Sequence, residues 1–424
     1  MAVKKLILTI LLCTLHIFAA SKEIIKSKIE TALAKIPPNT NVAILIYNPL
    51  TRDTIFQKNH SQIMIPASNT KLFTTAAALS IMGGNFPLAT KILTDCVNIK
   101  NGIVNGNLYI KGFGNSLFTT DDLENMVKDL KKKGIRKITG NIIGDDSYFD
   151  ELYTRSDWID DEAPNVKLPP ISALVIDRNK TLEHKRIKIR KKRRIRYKIG
   201  VYYSNISDPP LFIAKLLKEK LIENGIKVDH SAIKGKTPDK VISLSESKIL
   251  LKDLIQKINK RSDNFLAECL FKTIGAVASG REGNSFYSTQ AILKFLKDNG
   301  IYSEGTSIVD GSGISRFDQV TVGAIVGLLD KMYFDLRNFN DYYNSLSIAG
   351  IDGTLRHRMR SSSAENDFHG KTGTLNGVSS LSGYLKTSNN EDLIVSMIFD
   401  FKKENANYYR SVENEIVEIL TNWQ

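Results

Sequence analysis

Three short stretches carry side chains that could do nucleophilic chemistry. The first is Ala67-Ser68-Asn69-Thr70-Lys71, a Ser-x-x-Lys pair. Three residues along a helix put both side chains on one face, so a serine hydroxyl can meet a lysine amine. The amine is a base only when neutral, and burial or a neighbouring positive charge lowers its pKa. A serine at a helix start also faces the favourable end of the helix dipole as oxyanion charge develops. The second stretch is Ser262-Asp263-Asn264. The third is Lys371-Thr372-Gly373-Thr374, which offers a positive charge for a substrate carboxylate, hydroxyls, and a glycine where another backbone can come close.

Each stretch alone is weak, and the elements around it decide its meaning. Ser-x-x-Lys also occurs at Ser231/Lys234 and Ser245/Lys248, in polar, charge-rich stretches that read as surface. Only Ser68 opens a long apolar, alanine-rich run, reaching Met82 and stopped by Gly83-Gly84, which predicts a buried helix that would enclose Lys71. Ser388-Asn389-Asn390 repeats the Ser-x-Asn pattern in a polar turn, whereas Ser262-Asp263-Asn264 sits at a helix start. Capping explains those residues equally well, and a capped loop can still present Ser262 and Asn264 rigidly. Gly370-Lys371-Thr372 resembles the end of a phosphate loop, but the required upstream glycine position is Glu365 and no helix can follow Gly373, Asn376 and Gly377. The six histidines are scattered, with no His-x-x-x-His pair, so no metal site is expected and a Ser-His-Asp triad has little support.

The elements that must hold these residues alternate along the chain. Strand runs are expected at Asn41 to Tyr47, Leu108 to Lys111, Lys137 to Ile143, Ser380 to Thr387 and Leu393 to Phe401. Helices are expected at Ser27 to Ile36, Asp121 to Lys133, Leu211 to Asn224, Leu250 to Asn259, Asn264 to Ala278, Phe286 to Asn299, Val320 to Phe334 and Asn405 to Thr421. At 424 residues with 42% hydrophobic and 25% charged residues, two or three globular domains are expected. Lys4 and Lys5, an apolar run from Leu6 to about Ala20, and small residues to Ser21 have the layout of a cleaved secretory signal over 1–21. Cys96 and Cys269 would then be the remaining cysteines, read as free buried thiols.

The formal net charge is +14, and much of it is local: Lys185 to Lys198 holds ten basic residues in fourteen. Ile187, Ile189, Ile195 and Tyr197 alternate with charges, which predicts two half-buried strands around a basic turn. A solvated hairpin and an anion-binding patch for the cell envelope are both open readings, while no nucleic-acid-binding module accompanies the charge.

Ser-x-x-Lys, Ser-Asp-Asn and Lys-Thr-Gly in this order resemble the signature of the penicillin-binding proteins and serine β-lactamases. More specifically, the chain resembles the D-alanyl-D-alanine carboxypeptidase/endopeptidases of the penicillin-binding protein 4 type, peptidase family S13. The stretches I-P-A-S-N-T-K-L-F-T-T-A-A-A-L from Ile65, N-I-I-G-D-D-S-Y-F-D from Asn141, R-S-D-N-F-L-A-E from Arg261, V-D-G-S-G-I-S-R from Val309, A-G-I-D-G-T-L-R-H-R-M from Ala349 and G-K-T-G-T-L-N-G-V-S-S-L-S-G-Y-L from Gly370 carry the resemblance. It implies an α/β (α+β) fold: a β-lactamase/transpeptidase-like domain over 22–95 and 243–424, an antiparallel sheet flanked by helices. Inserted in it at 96–242 would be smaller α/β and β-rich subdomains, about 96–150 and 151–242. The family's usual Gly-x-Gly-Asp-Pro reads Gly112-Phe113-Gly114-Asn115-Ser116 here, and the region after Ala173 is short.

The resemblance also implies roles. Ser68 would be the nucleophile, Lys71 its base and Ser262 a proton relay, with Asn264, Lys371, Thr372, Gly373 and Thr374 binding substrate. The implied partners are peptidoglycan stem peptides and β-lactams as covalent inhibitors, with no cofactor, in a periplasmic or secreted protein. The rival expectations are a serine β-lactamase and a non-catalytic envelope-binding protein of the same fold.

Overall fold

A computed structural model of the chain describes residues 22–158, 168–191, 194–301 and 304–423, with the backbone alone between 184 and 199. The expected signal at 1–21 lies outside the described residues.

The run Asn41–Asn48 is apolar on consecutive positions because it is a strand covered on both faces. Ala43 and Leu45 point into one core, and Val42, Ile44 and Ile46 into another, as the two-residue period of a strand requires. This strand lies inside a six-stranded sheet in the order Ser347–Ile348, Phe368–Leu375, Val378–Lys386, Asp392–Asp400, Asn41–Asn48, Asp53–Lys58. Every neighbouring pair is antiparallel, so the N-terminal strand is zipped to the last strand of the chain through Asn41 opposite Asp400.

One face of the sheet carries the helix over 22–33 and the C-terminal helix Ala406–Thr421, through Ile25, Ile29, Tyr409, Val412, Ile416 and Leu420. The other face packs on a helical layer built around Thr70–Met82. That helix is buried at every position from Thr70 to Leu79, so it runs through the centre of the layer rather than along its surface. Gly83 ends it with φ 78°. Leu251–Arg261, Asn264–Ser279 and Val322–Tyr333 surround it through Leu254, Ile255, Ile258, Leu266, Leu270, Ile325 and Leu329.

A third core lies under a five-stranded sheet, ordered Ala232–Lys234, Ile142–Asp145, Leu108–Phe113, Pro87–Thr94, Ile242–Leu250. Helices Thr120–Lys132 and Pro209–Glu223 complete it with Leu123, Val127, Leu130, Ile213 and Leu217. Pro87–Thr94 and Ile242–Leu250 pair antiparallel, so the chain enters and leaves this sheet on adjacent strands. The run from Lys137 to Ile143, read from sequence as one strand, is two: Lys137–Ile138 joins a three-stranded parallel sheet and Ile142–Asp145 the five-stranded one. The break falls at Gly140, where a Cβ would lie 2.4 Å from the carbonyl oxygen of Gly106.

Lys180–Lys191 and Arg194–Asn205 form the expected antiparallel hairpin over the basic run, while the burial of its tip side chains falls outside what is described. Cys96 and Cys269 are buried and unbridged.

Candidate active site

The sequence Pro66-Ala67-Ser68-Asn69 folds as one 3-10 turn that feeds directly into the buried helix. Ala67 has φ 50°, the left-handed region that costs a non-glycine residue about 1–2 kcal/mol. Neighbours hold it there. Ser380 Oγ donates to the Pro66 carbonyl at 2.8 Å, and Asn69 Nδ2 donates to Ser382 Oγ at 3.1 Å. Gly313 and Gly373 press on the same turn. A Cβ at Gly313 would fall 2.0 Å from the Ala67 carbonyl oxygen, and one at Gly373 would fall 2.8 Å from the Pro66 oxygen and 3.0 Å from Ser68 N. Gly373 therefore clears space for the backbone of the serine turn itself.

Lys71 is the fourth residue from Ser68 counted inclusively, and the change from 3-10 turn to α-helix still leaves the two side chains together. Its Nζ lies 2.9 Å from Ser68 Oγ, 2.7 Å from Asn264 Oδ1 and 2.5 Å from the Ser312 carbonyl oxygen. The side chain is fully buried. That burial lowers its pKa from the usual 10.5 to about 8, against the pull of Asp310, Glu268, Asp263 and Asp318. Loss of one proton would leave an amine that accepts the Ser68 hydroxyl proton while still donating to Asn264 and Ser312.

Ser262-Asp263-Asn264 divides three tasks among three adjacent residues. Ser262 closes helix Leu251–Arg261 in a left-handed conformation, φ 53°. Such strain persists where the surroundings over-determine it, and it concentrates at functional sites. Asp263 is the cap of the next helix, accepting from Leu266 N at 3.0 Å, and its carboxylate is held by the Arg178 guanidinium at 2.7 and 3.0 Å. Ser262 and Asn264 are thereby free of capping duty, and both line the cleft.

Lys371 lies on strand Phe368–Leu375 and is also fully buried. Its Nζ donates to Ser262 Oγ at 2.8 Å and to the Thr372 carbonyl at 2.6 Å. Burial, and then the charge of Lys71, hold its pKa well below the usual lysine value. Thr372 Oγ1 donates to Thr354 Oγ1 at 2.9 Å, and the exposed Thr374 donates to the Gly373 carbonyl at 2.8 Å. His369 stacks on Tyr343 with ring centroids 4.2 Å apart, a packing role.

All eight residues singled out in the sequence thus converge: Ser68, Lys71, Ser262, Asn264, Lys371, Thr372, Gly373 and Thr374. Ser68, Ser262, Asn264, Thr372 and Thr374 line a cleft of about 750 Å³. The other two Ser-x-x-Lys pairs lie on strands Ala232–Lys234 and Ile242–Leu250 or at their edge, where positions three apart face opposite sides. Ser245 is a correction to the surface reading: it is buried, with Asp129 Oδ2 3.5 Å from its hydroxyl.

Sequence reasoning missed the groups behind Lys71. Asp310 accepts from the backbone N–H groups of Ser312, Gly313 and Ser315 at 3.0, 2.6 and 2.8 Å and so sets the carbonyl that Lys71 meets. Glu268 accepts from Gly311 N at 3.1 Å, and Asp318 accepts from Val309 N at 2.7 Å and Thr70 Oγ1 at 3.1 Å. Burial, reinforced by Asp310, raises Glu268 to about 8 and Asp318 well above the carboxylate range. The signals were Asp310 inside V-D-G-S-G and a lone Glu268 on an apolar helix. Thr354, inside the A-G-I-D-G-T-L stretch, is also in the cleft, as is Arg410, which had no sequence signal.

With the geometry in hand, known proteins show the same arrangement of chain. The family model described as the D-Ala-D-Ala carboxypeptidase 3 (S13) family matches residues 25–192 and 196–423. The chain is 25% identical over 403 residues to a D-alanyl-D-alanine carboxypeptidase of Actinomadura sp. (strain R39), covering 81% of this chain and 74% of that one. It is 26% identical over 410 residues to the D-alanyl-D-alanine carboxypeptidase DacB of Haemophilus influenzae, covering 84% and 85%. The crystal structure of penicillin binding protein 4 from Haemophilus influenzae superposes with a TM-score of 0.79 at 22% identity, over 92% of this chain and 99% of that one.

Proposed function

The chain belongs to the D-Ala-D-Ala carboxypeptidase 3 (S13) family, and from that premise we propose that its cleft hydrolyses the D-alanyl-D-alanine bond of peptidoglycan stem peptides through an acyl-enzyme on Ser68. The observation that carries the reading is the 2.9 Å contact between Ser68 Oγ and the fully buried Lys71 amine. A nucleophile and its base must be in hydrogen-bond reach, with the base held in place by further partners, and Asn264 and Ser312 fill that part.

In the forward step, neutral Lys71 takes the Ser68 hydroxyl proton as Oγ attacks the carbonyl carbon between the two D-alanines. The tetrahedral oxyanion sits against the backbone N–H groups of Ser68 and Thr374, donors whose positions are fixed before reaction begins. Collapse expels the terminal D-alanine as an amine, which needs a proton. Ser262, hydrogen-bonded to the Lys371 amine, relays to the leaving amine the proton that Lys71 took, which leaves Lys71 neutral again. Asn264 Nδ2 is available to the substrate amide because its Oδ1 is engaged by Lys71. Water then attacks the ester on Ser68, with Lys71 again as base. β-Lactams would follow the first half of this path and stop at the acyl-enzyme.

The protein is read as exported to the cell envelope, where this substrate lies. No helix among the described residues is long and apolar enough to cross a membrane. The hairpin Lys180–Asn205, with the basic run Lys185 to Lys198, is the surface proposed to meet anionic envelope polymers.

The test is mass spectrometry of muropeptides after incubation with purified protein. Loss of one alanine marks carboxypeptidase activity, and cleaved cross-links mark endopeptidase activity. Unchanged muropeptides with folded protein contradict the proposal.

A further inference from the structure

A D-Ala-D-Ala peptide ends in a carboxylate, and the lysine of Lys-Thr-Gly is the obvious cation for it. In this chain that lysine is poorly placed for the task. Lys371 is fully buried under its own strand, and its amine already donates to Ser262 Oγ and the Thr372 carbonyl. Burial and the nearby Lys71 also favour its uncharged form. A cation that must face substrate has to come from elsewhere.

The C-terminal helix supplies one. Arg410 Nη2 donates to Thr374 Oγ1 at 2.9 Å, and its Nη1 is steadied by Asn407 Oδ1 at 2.8 Å, three residues earlier on the same helix face. Arg410, Asn407, Thr374 and Ser68 line one cleft. The other two arginines at that wall pair away from Thr374. Arg358 is committed to buried Glu413 at 2.8 Å and to Asn414 at 2.9 Å, and Arg356 Nε donates to His357 Nε2 at 2.9 Å. A guanidinium has five N–H groups and keeps its charge at any working pH. Two of the five are used by Thr374 and Asn407, which leaves donors for a carboxylate beside the Thr374 hydroxyl.

Granted the peptidase reading of the cleft, on which this rests, we propose that Arg410 binds the C-terminal carboxylate of the substrate, with the Thr374 hydroxyl turning from the Gly373 carbonyl to donate to it. Lys371 then serves the Ser262 proton relay and not carboxylate recognition. Charge for the substrate comes from the C-terminal helix, which is clamped to the sheet beside the cleft through Glu413 and Ser379.

The experiment compares two synthetic substrates in one preparation of enzyme: diacetyl-L-Lys-D-Ala-D-Ala and the same peptide with its C-terminus amidated. The ratio of the two kcat/KM values is independent of the fraction of protein that is folded. For Arg410→Ala the free acid should lose about tenfold to a hundredfold in kcat/KM, the range of a charge-assisted hydrogen bond. The amide should change less than about twofold, since its terminus carries no charge. Arg410→Lys, which keeps a charge but not the fork, should recover part of the preference for the acid. An acid-to-amide ratio in Arg410→Ala equal to that of wild type overturns the assignment of Arg410 and leaves the peptidase reading standing. Wild-type protein that cleaves neither peptide overturns the peptidase reading and Arg410's role with it.

Discussion

The amine of Lys371 lies 2.8 Å from the hydroxyl of Ser262, although 109 residues separate the two in sequence. The contact joins a buried lysine on the sheet to a strained serine between two helices, and so ties the second of the three stretches to the third.

Removing that amine should therefore cripple acylation and not only weaken binding. Lys371→Ala is expected to lower the rate of acylation by β-lactam and by peptide by about a hundredfold or more, the scale of a lost general acid–base group. Stopped-flow acylation measures it. Rates within a few-fold of wild type would show that the pair has no part in proton transfer.

Lys71 sets the pH dependence. Its buried amine titrates at about 8, below the ordinary 10.5, and only the neutral form accepts the serine proton. Acylation rate should rise as pH rises through about 8, because deprotonation creates the base. A profile of kcat/KM against pH reports this pKa for the free enzyme. A rising limb near the ordinary lysine value would contradict the burial account.

Gly373 should tolerate no side chain. A Cβ there would meet Ser380 Oγ at 2.2 Å as well as the Pro66 oxygen at 2.8 Å and Ser68 N at 3.0 Å. Gly373→Ala should push the serine turn away from the strand, costing about 1–3 kcal/mol of stability as overpacking does, with a parallel loss of acylation. Urea unfolding and penicillin acylation read the two effects, and unchanged values for both would contradict the contact.

The clamp on the C-terminal helix makes a separate stability prediction. Glu413 is fully buried, and it accepts from Arg358 Nη2 and from Ser379 Oγ, both at 2.8 Å. Glu413→Ala leaves the guanidinium without its charge partner, and breaking such a buried pair costs about 3–5 kcal/mol. Equilibrium denaturation checks it. A loss below about 1 kcal/mol, the scale of an exposed pair, would show that the bridge is solvated.

Much of this site was legible in the sequence because its chemistry sits at the starts of apolar helices. Ser68 before Thr70–Met82 and Ser262-Asp263-Asn264 before a second buried helix are polar residues where burial begins, a pattern that local reading detects. In the six-stranded sheet Asn41–Asn48, Val378–Lys386 and Asp392–Asp400 were legible, whereas Phe368–Leu375, which carries Lys371, and the register that joins the two ends of the chain were not. The third acceptor for Lys71 is a backbone carbonyl, Ser312, which no residue type announces. Arg410 lies on the last helix and reaches Thr374 only through tertiary packing. Ser245 looked like surface because its neighbours are charged, yet a register shift between Ser243 and Ser245 leaves it buried next to Leu244. Lys371 was read as the cation for a substrate carboxylate, and sequence does not show that its amine is fully buried and donates to Ser262.

The central claim is that Ser68, activated by Lys71, forms a covalent acyl-enzyme. Purified protein should be incubated with a fluorescent penicillin and the adduct mapped by peptide mass spectrometry. One stable adduct on the peptide containing Ser68, absent from Ser68→Ala, is the predicted result. A folded wild-type protein that stays unlabelled, or a Ser68→Ala variant that labels like wild type, would contradict it.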